Sequence, residues 1–188
     1  MSSSASPAQP TPPAHADVLT ERLALRPWTT AETAAVLDGT RLAHWAHDFP
    51  ADGDRVIAGF LGEHPAWRGA HGHRLVVERE SGLVVGSIGL FWPPSEGAVE
   101  IGYGIVASRR GRGYAPEAVR ALAGFAFTAP EVHTVCARVE GANSPSVRVL
   151  EKAGFSRWDD GDGEGVGVGG EGVVRFGVAV TDVDRSRW

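Results

Sequence analysis

The stretch from Val99 to Ala126 constrains this chain more than any other, because its hydrophobic period changes within a few residues. Val99-Glu100-Ile101-Gly102-Tyr103-Gly104-Ile105-Val106 alternates and reads as a strand. After Ala107-Ser108-Arg109, the loop Arg110-Gly111-Arg112-Gly113-Tyr114-Ala115 leads into a segment where Ala115, Val119, Leu122 and Phe125 or Ala126 recur at helical spacing, stopped by Pro130. A strand passing through such a loop into an amphipathic helix needs a sheet with a helix packed on it. The first N–H groups of a helix lack a carbonyl one turn back, so they point at an anion, and the helix dipole adds attraction. Arg110 and Arg112 offer forks for phosphate oxygens, and Pro116 early in the helix loses no bond. Gly102 and Gly104 are costly inside a strand unless a bulge or a ligand against the backbone requires them. Alone, this segment says only that some anion is held at a helix start.

Around it, the chain reads in the order β, helices, βββ, α, β, α, loop, β. Met1 to about Ala16 is Ser, Ala and Pro with almost nothing to bury, and is expected to be a disordered tail, followed by a single domain over 17–188. Glu21–Arg26 alternates and meets Pro27, a first strand; Thr29 or Thr30 caps a helix over Ala31–Leu37, with Glu32 in its first turn. From Arg41 to Gly72 the pattern is irregular, with short helices expected around His44 and Arg55–Leu61. Its aromatics, Trp45, Phe49, Phe60 and Trp67, read as core. His73–Arg79, a turn at Ser81-Gly82, Leu83–Trp92 and Val99–Val106 make an antiparallel meander. His133–Val139 is another strand, and Ser144-Pro145 opens a second helix, with Ser144 as the cap and Pro145 at the first helical position, that Gly154 closes. Asp159–Gly172 reads as a flexible acidic linker, its oxygen donors lacking the EF-hand spacing, and Val173–Thr181 closes the sheet. The expected fold is α+β: a mixed, mostly antiparallel sheet of six or seven strands flanked by helices.

A net charge of -5 argues against a general grip on nucleic acid, and the cluster Arg109, Arg110 and Arg112 suits a small phosphorylated ligand better than a polymer. The single cysteine, Cys136, allows no intrachain disulfide and fits a reducing cytoplasm; it reads as a core thiol. No run is long enough to span a bilayer, so no membrane partner is expected. His44, His47, His64, His71, His73 and His133 show no metal-ligand spacing, and no metal is assigned. Gly102-Tyr103-Gly104-Ile105-Val106-Ala107 loosely matches a dinucleotide fingerprint but lies inside the strand with no βαβ pair before it, which rejects the Rossmann reading.

Three blocks in order resemble the GNAT superfamily of N-acetyltransferases. Arg110-x-x-Gly113-x-Ala115 is similar to its signature of Gln or Arg, two residues, Gly, one residue, Gly or Ala. Asn143-Ser144-Pro145-Ser146-Val147-Arg148-Val149-Leu150-Glu151-Lys152-Ala153-Gly154-Phe155 resembles its other block. Thr20 to Trp28 resembles the first strand of the branch that acetylates ribosomal-protein N-termini. The resemblance implies acetyl-CoA as cosubstrate, with pyrophosphate at Arg110, Gly111, Arg112, Gly113, Tyr114 and Ala115. It also implies pantetheine in a gap beside the preceding strand, on the backbone of Ile105 and Val106, with Asn143 and Ser146 near the sulfur. It further implies direct transfer to a primary amine, such as a protein N-terminus, without an acyl-enzyme. Other readings on the same scaffold are a small amine or aminoglycoside as acceptor, or a catalytically silent acyl-CoA sensor. Glu100 is the candidate base, its other reading being an exposed strand carboxylate. Leu150 stands where many relatives carry an acid Tyr, so Ser146 is the candidate proton donor, its other reading being a first-turn residue bonded to backbone. Monomer and homodimer both stay open.

Overall fold

The computed structural model describes residues 16–158 and 172–180. The expected tail up to His15 and the acidic linker over 159–171 lie outside the described residues. The elements run β1 (Val18–Leu19), β2 (Leu23–Pro27), α1 (Thr30–Asp38), α2 (Asp52–Glu63), β3 (His73–Glu78), β4 (Val84–Leu90), β5 (Ala98–Ile105), α3 (Tyr114–Ala126), β6 (Thr134–Glu140), α4 (Ser144–Ala153), β7 (Ser156–Trp158) and β8 (Val173–Ala179). Short 3-10 turns lie at Pro65–Arg68 and Ala107–Arg109. No described helix is long and apolar enough to cross a membrane.

The sheet is mixed and has eight strands in the order β1-β2-β3-β4-β5-β6-β8-β7. The expected six or seven omitted β1 and β7, which are two and three residues long and too short to show a period. Neighbours are antiparallel except β5 and β6, where the crossover through α3 makes them parallel. The helix expected around His44 does not form. The chain there makes turns at Ala43-His44 and His47-Asp48 around one bridge residue, Trp45, bonding Ala46 N to Val84 O and Val84 N to His44 O, and so seats Trp45 beside β4 in the core. The helix expected at Arg55–Leu61 is longer, because Asp54 takes the Ala51 N–H and closes its first turn. Thr29 is the cap of α1, in a reciprocal box with Glu32.

Strand parity decides what each face of the sheet carries. One face presents Val99, Ile101, Val135, Ala137 and Phe176, all buried. Helix α3 packs there, with the Arg74 guanidinium 4.9 Å from the Phe125 ring, and α4 packs against α3. The other face presents Ser87 and Gly89 on β4, Glu100, Gly102 and Gly104 on β5, Cys136 and Arg138 on β6, and Arg175 and Gly177 on β8. On this side α2 sits over β4, where Asp54 accepts a short bond from the Ser87 hydroxyl; among the described residues no helix covers β6, β8 and β7.

Candidate active site

Strand β5 keeps β6 as a neighbour only over Ala98–Glu100, facing Thr134–Cys136. Beyond Glu100 it runs on against β4 alone, while β6 continues against β8. The two strands therefore part from Ile101 onward and leave a cleft through the sheet. Two surface concavities, about 310 Å³ between α1 and α2 and about 480 Å³ along α3, lie elsewhere.

The β4–β5 ladder fixes which backbone groups face this cleft. Phe91 N bonds Glu100 O and Val106 N bonds Val85 O, both at 2.9 Å. Bonded pairs alternate along an antiparallel ladder, and the register between these two is unbroken. Tyr103 and Ile105 consequently turn their N–H and C=O groups away from β4 and toward the cleft. Val106 does not, because its carbonyl also accepts from Arg109 N; the cleft-facing pair is Tyr103 and Ile105 rather than the expected Ile105 and Val106. With no bulge present, Gly102 and Gly104 need another reason: Gly102 makes room for the Phe91 ring, and the space above Gly104 is open.

The anion end is built from the same strand's exit. Asp48 accepts from the Ser108 N–H at 2.8 Å and hydroxyl at 2.7 Å, pinning the 3-10 turn. Arg110 donates from Nε to the Ile105 carbonyl at 2.9 Å and folds back toward the cleft mouth. Gly111 and Gly113 have φ of 75° and 81°, so these positions require glycine. Arg22 donates to the Arg112 and Gly113 carbonyls, turning them inward, and its Nε binds Glu117 at 2.7 Å. The first helical bond runs from Glu117 N to Gly113 O, and Pro116 has no N–H, so those of Tyr114 and Ala115 point out of the helix start.

Under the loop lies Glu78, 5% exposed. It accepts from the Tyr114 hydroxyl at 2.6 Å and from Ser81, with Arg109 and Arg112 each at 3.4 Å. The Arg109 contact is an ion contact, since its Nε has no hydrogen-bond partner at that geometry. Burial pushes the Glu78 carboxyl up, but the Ser81 and Tyr114 bonds and the Arg109 charge outweigh it and hold it below its ordinary value.

Across the cleft stands α4. Asn143, not Ser144, caps it: the Asn143 Oδ1 accepts from Ser146 N at 3.2 Å, with Pro145 in the first turn and Gly154 at φ 92° closing the helix. The Tyr103 phenol spans the cleft and donates to the Ser146 carbonyl at 3.1 Å. Burial pushes that phenol up to about 12 despite the bond. Leu150 is fully buried. Glu100 stands at the edge where the strands part, with both oxygens held by Arg138, Nε to Oε1 at 3.1 Å and Nη2 to Oε2 at 2.6 Å. Cys136 is buried, and burial with the nearby Glu100 charge raises its thiol. Tyr103, Glu78, Arg22 and Asp48 carry no sequence signal of these placements beyond the two glycines that flank Tyr103.

The arrangement fits a long thread with a phosphorylated end. Backbone donors and acceptors line the cleft, an open helix start with Arg110 and Arg112 stands at one end, and a carboxylate stands at the other. Comparison with known proteins agrees. The model of the acetyltransferase (GNAT) domain matches residues 22–156. The chain is 35% identical over 82 residues to the uncharacterized N-acetyltransferase YjdG of Bacillus subtilis, covering 43% of this chain and 49% of that one. It is 32% identical over 83 residues to the uncharacterized N-acetyltransferase p20 of Bacillus licheniformis, covering 44% and 47%. The matches thus span about half the length of these relatives. An acetyltransferase from Agrobacterium tumefaciens superposes with TM-score 0.63 at 25% identity, covering 88% of this chain and 95% of that one. The fold is also that of ribosomal-protein-S5-alanine acetyltransferase from Vibrio fischeri, with TM-score 0.59 at 17% identity over 89% and 98%. Mycobacterium smegmatis RimJ, solved with CoA-disulfide, has TM-score 0.55 at 23% identity over 84% and 81%. The parted strands and the glycine loop at the helix start agree with the matched domain, and this chain belongs to the acetyltransferase (GNAT) domain family.

Proposed function

We propose that this protein transfers the acetyl group of acetyl-CoA directly to a primary amine, with a peptide N-terminal amine among its acceptors. The parting of β5 from β6 beside the start of α3 carries the reading. The N–H groups of Tyr114 and Ala115, with Arg110 and Arg112, hold the pyrophosphate. Tyr103 and Ile105 offer backbone bonds to pantetheine, and Asn143 and Ser146 line the opposite wall. Acetyl-CoA supplies an activated thioester, whose carbonyl a strand N–H polarises.

Glu100 accepts the amine's proton, directly or through water, once Arg138 releases one of its oxygens. Two hydroxyls stand at the first turn of α4 to return a proton to the leaving thiolate, those of Ser146 and Tyr103. The test is acetyl-CoA-dependent thiol release over N-terminal peptides, polyamines and aminoglycosides. Saturable release with one amine class supports transfer. Acetyl-CoA binding without turnover on any amine identifies a sensor instead. An unaltered pH–rate profile in Glu100→Gln removes Glu100 as the base.

A further inference from the structure

The sheet face away from α3 and α4 carries a row of side chains that the cofactor contacts leave unused. From the parting edge outward stand Glu100 on β5, Cys136 and Arg138 on β6, Arg175 and Gly177 on β8, and Trp158 on β7. Arg138 and Arg175 are direct cross-strand partners, a pairing of like charges that repels. Glu100 neutralises Arg138 through the two-pronged contact. Arg175 has no carboxylate among its described contacts. Its guanidinium lies 5.9 Å from the centre of the Trp158 ring and beside the Cys136 thiol, which burial keeps protonated.

The indole's place depends on Gly177, where a Cβ would come within 2.1 Å of the Trp158 ring. Among the described residues a positive charge therefore stands without a carboxylate beside the reaction edge, half-buried, with an aromatic plate against it. The Trp158 ring and the Cys136 thiol hold this guanidinium in place. A planar fork held against an aromatic ring matches a carboxylate.

We propose that Arg175, backed by Trp158, anchors a carboxylate on the amine acceptor, so that favoured acceptors carry an amine and a carboxylate in one molecule. This rests on the acetyl-transfer reading above. Strand spacing is roughly 4.8 Å, so β8 lies about 10 Å from β5. That span suits the acidic side chain of a residue next to a peptide N-terminus better than the α-carboxylate of an amino acid, which sits on the amine-bearing carbon itself.

Matched pairs test it on the full chain. Free amino acids are compared with their amides, and N-terminal peptides bearing Glu at the second position with the same peptides bearing Gln, all with amidated C-termini. The wild type is expected to prefer the acid member of one set by about tenfold or more in kcat/KM. The set that shows the preference identifies the source of the carboxylate. Arg175→Gln is expected to abolish that preference and Arg175→Lys to keep part of it. Turnover of both members at equal rates in wild type, or a preference surviving Arg175→Gln, overturns the anchor while leaving acetyl transfer standing. Failure of every amine overturns acetyl transfer and the anchor together.

Discussion

Replacing Glu78 by Gln is expected to destabilise the fold from beneath the cofactor loop. The carboxylate is 5% exposed and takes bonds from Tyr114 at 2.6 Å and Ser81, with Arg109 and Arg112 at 3.4 Å. An amide oxygen still accepts from Tyr114, so that bond loses only its charge assistance, about 1 kcal/mol. The remaining loss is the ion contacts. Removing one partner of a fully buried pair costs about 3–5 kcal/mol. The Arg109 side chain is 19% exposed and that of Arg112 is 51%, so solvent screens most of this and about 1 kcal/mol is a fair share. The sum is about 2 kcal/mol, or a fall in Tm of about 4–8 °C for a domain of this size. Because the folded Glu78 value is depressed, its contribution is complete above the unfolded value of about 4.3 and is lost as pH falls through the folded value. Urea unfolding of wild type and Glu78→Gln, run from pH 7 to pH 3, reads both effects. A difference under about 0.5 kcal/mol at pH 7, or one that does not shrink toward pH 3, refutes the charge argument.

Gly86→Ala is expected to cost about 3 kcal/mol or to prevent folding, since its Cβ would stand 2.1 Å from the Gly104 carbonyl oxygen and force β4 off β5; soluble yield and urea midpoint check it. Burial pushes His73 down to about 4, so the unfolded chain binds its proton first and stability falls as pH drops from about 6.5 toward 4. The slope of the urea midpoint over that window should be shallower in His73→Leu.

The sequence carried most of the architecture because long elements announce their period. The meander, α3 and α4 fall within a residue or two of their expected ends, and Gly113 and Gly154 stand at left-handed positions where only glycine fits easily. Short and non-local features did not show. Strands β1 and β7 are too brief to alternate, and the bridge at Trp45 depends on bonds to Val84, far along the chain. The Glu100–Arg138 pair needs the parallel register of β5 and β6, which no spacing encodes. Backbone parity likewise emerged only from the β4–β5 ladder, which moved the cleft-facing role from Val106 to Tyr103. Asn143 proved to be the cap of α4, because Pro145 falls at the second helical position rather than the first.

Coenzyme A is expected to lie along the cleft-facing backbone of β5 and to end at the start of α3. Amide hydrogen exchange resolved by residue, with and without CoA, tests it most directly. New protection is expected at Tyr103 or Ile105 together with Tyr114 and Ala115, with little change at Val106, whose N–H is already bonded to Val85. Saturable CoA binding that leaves Tyr103, Ile105, Tyr114 and Ala115 unprotected would contradict it.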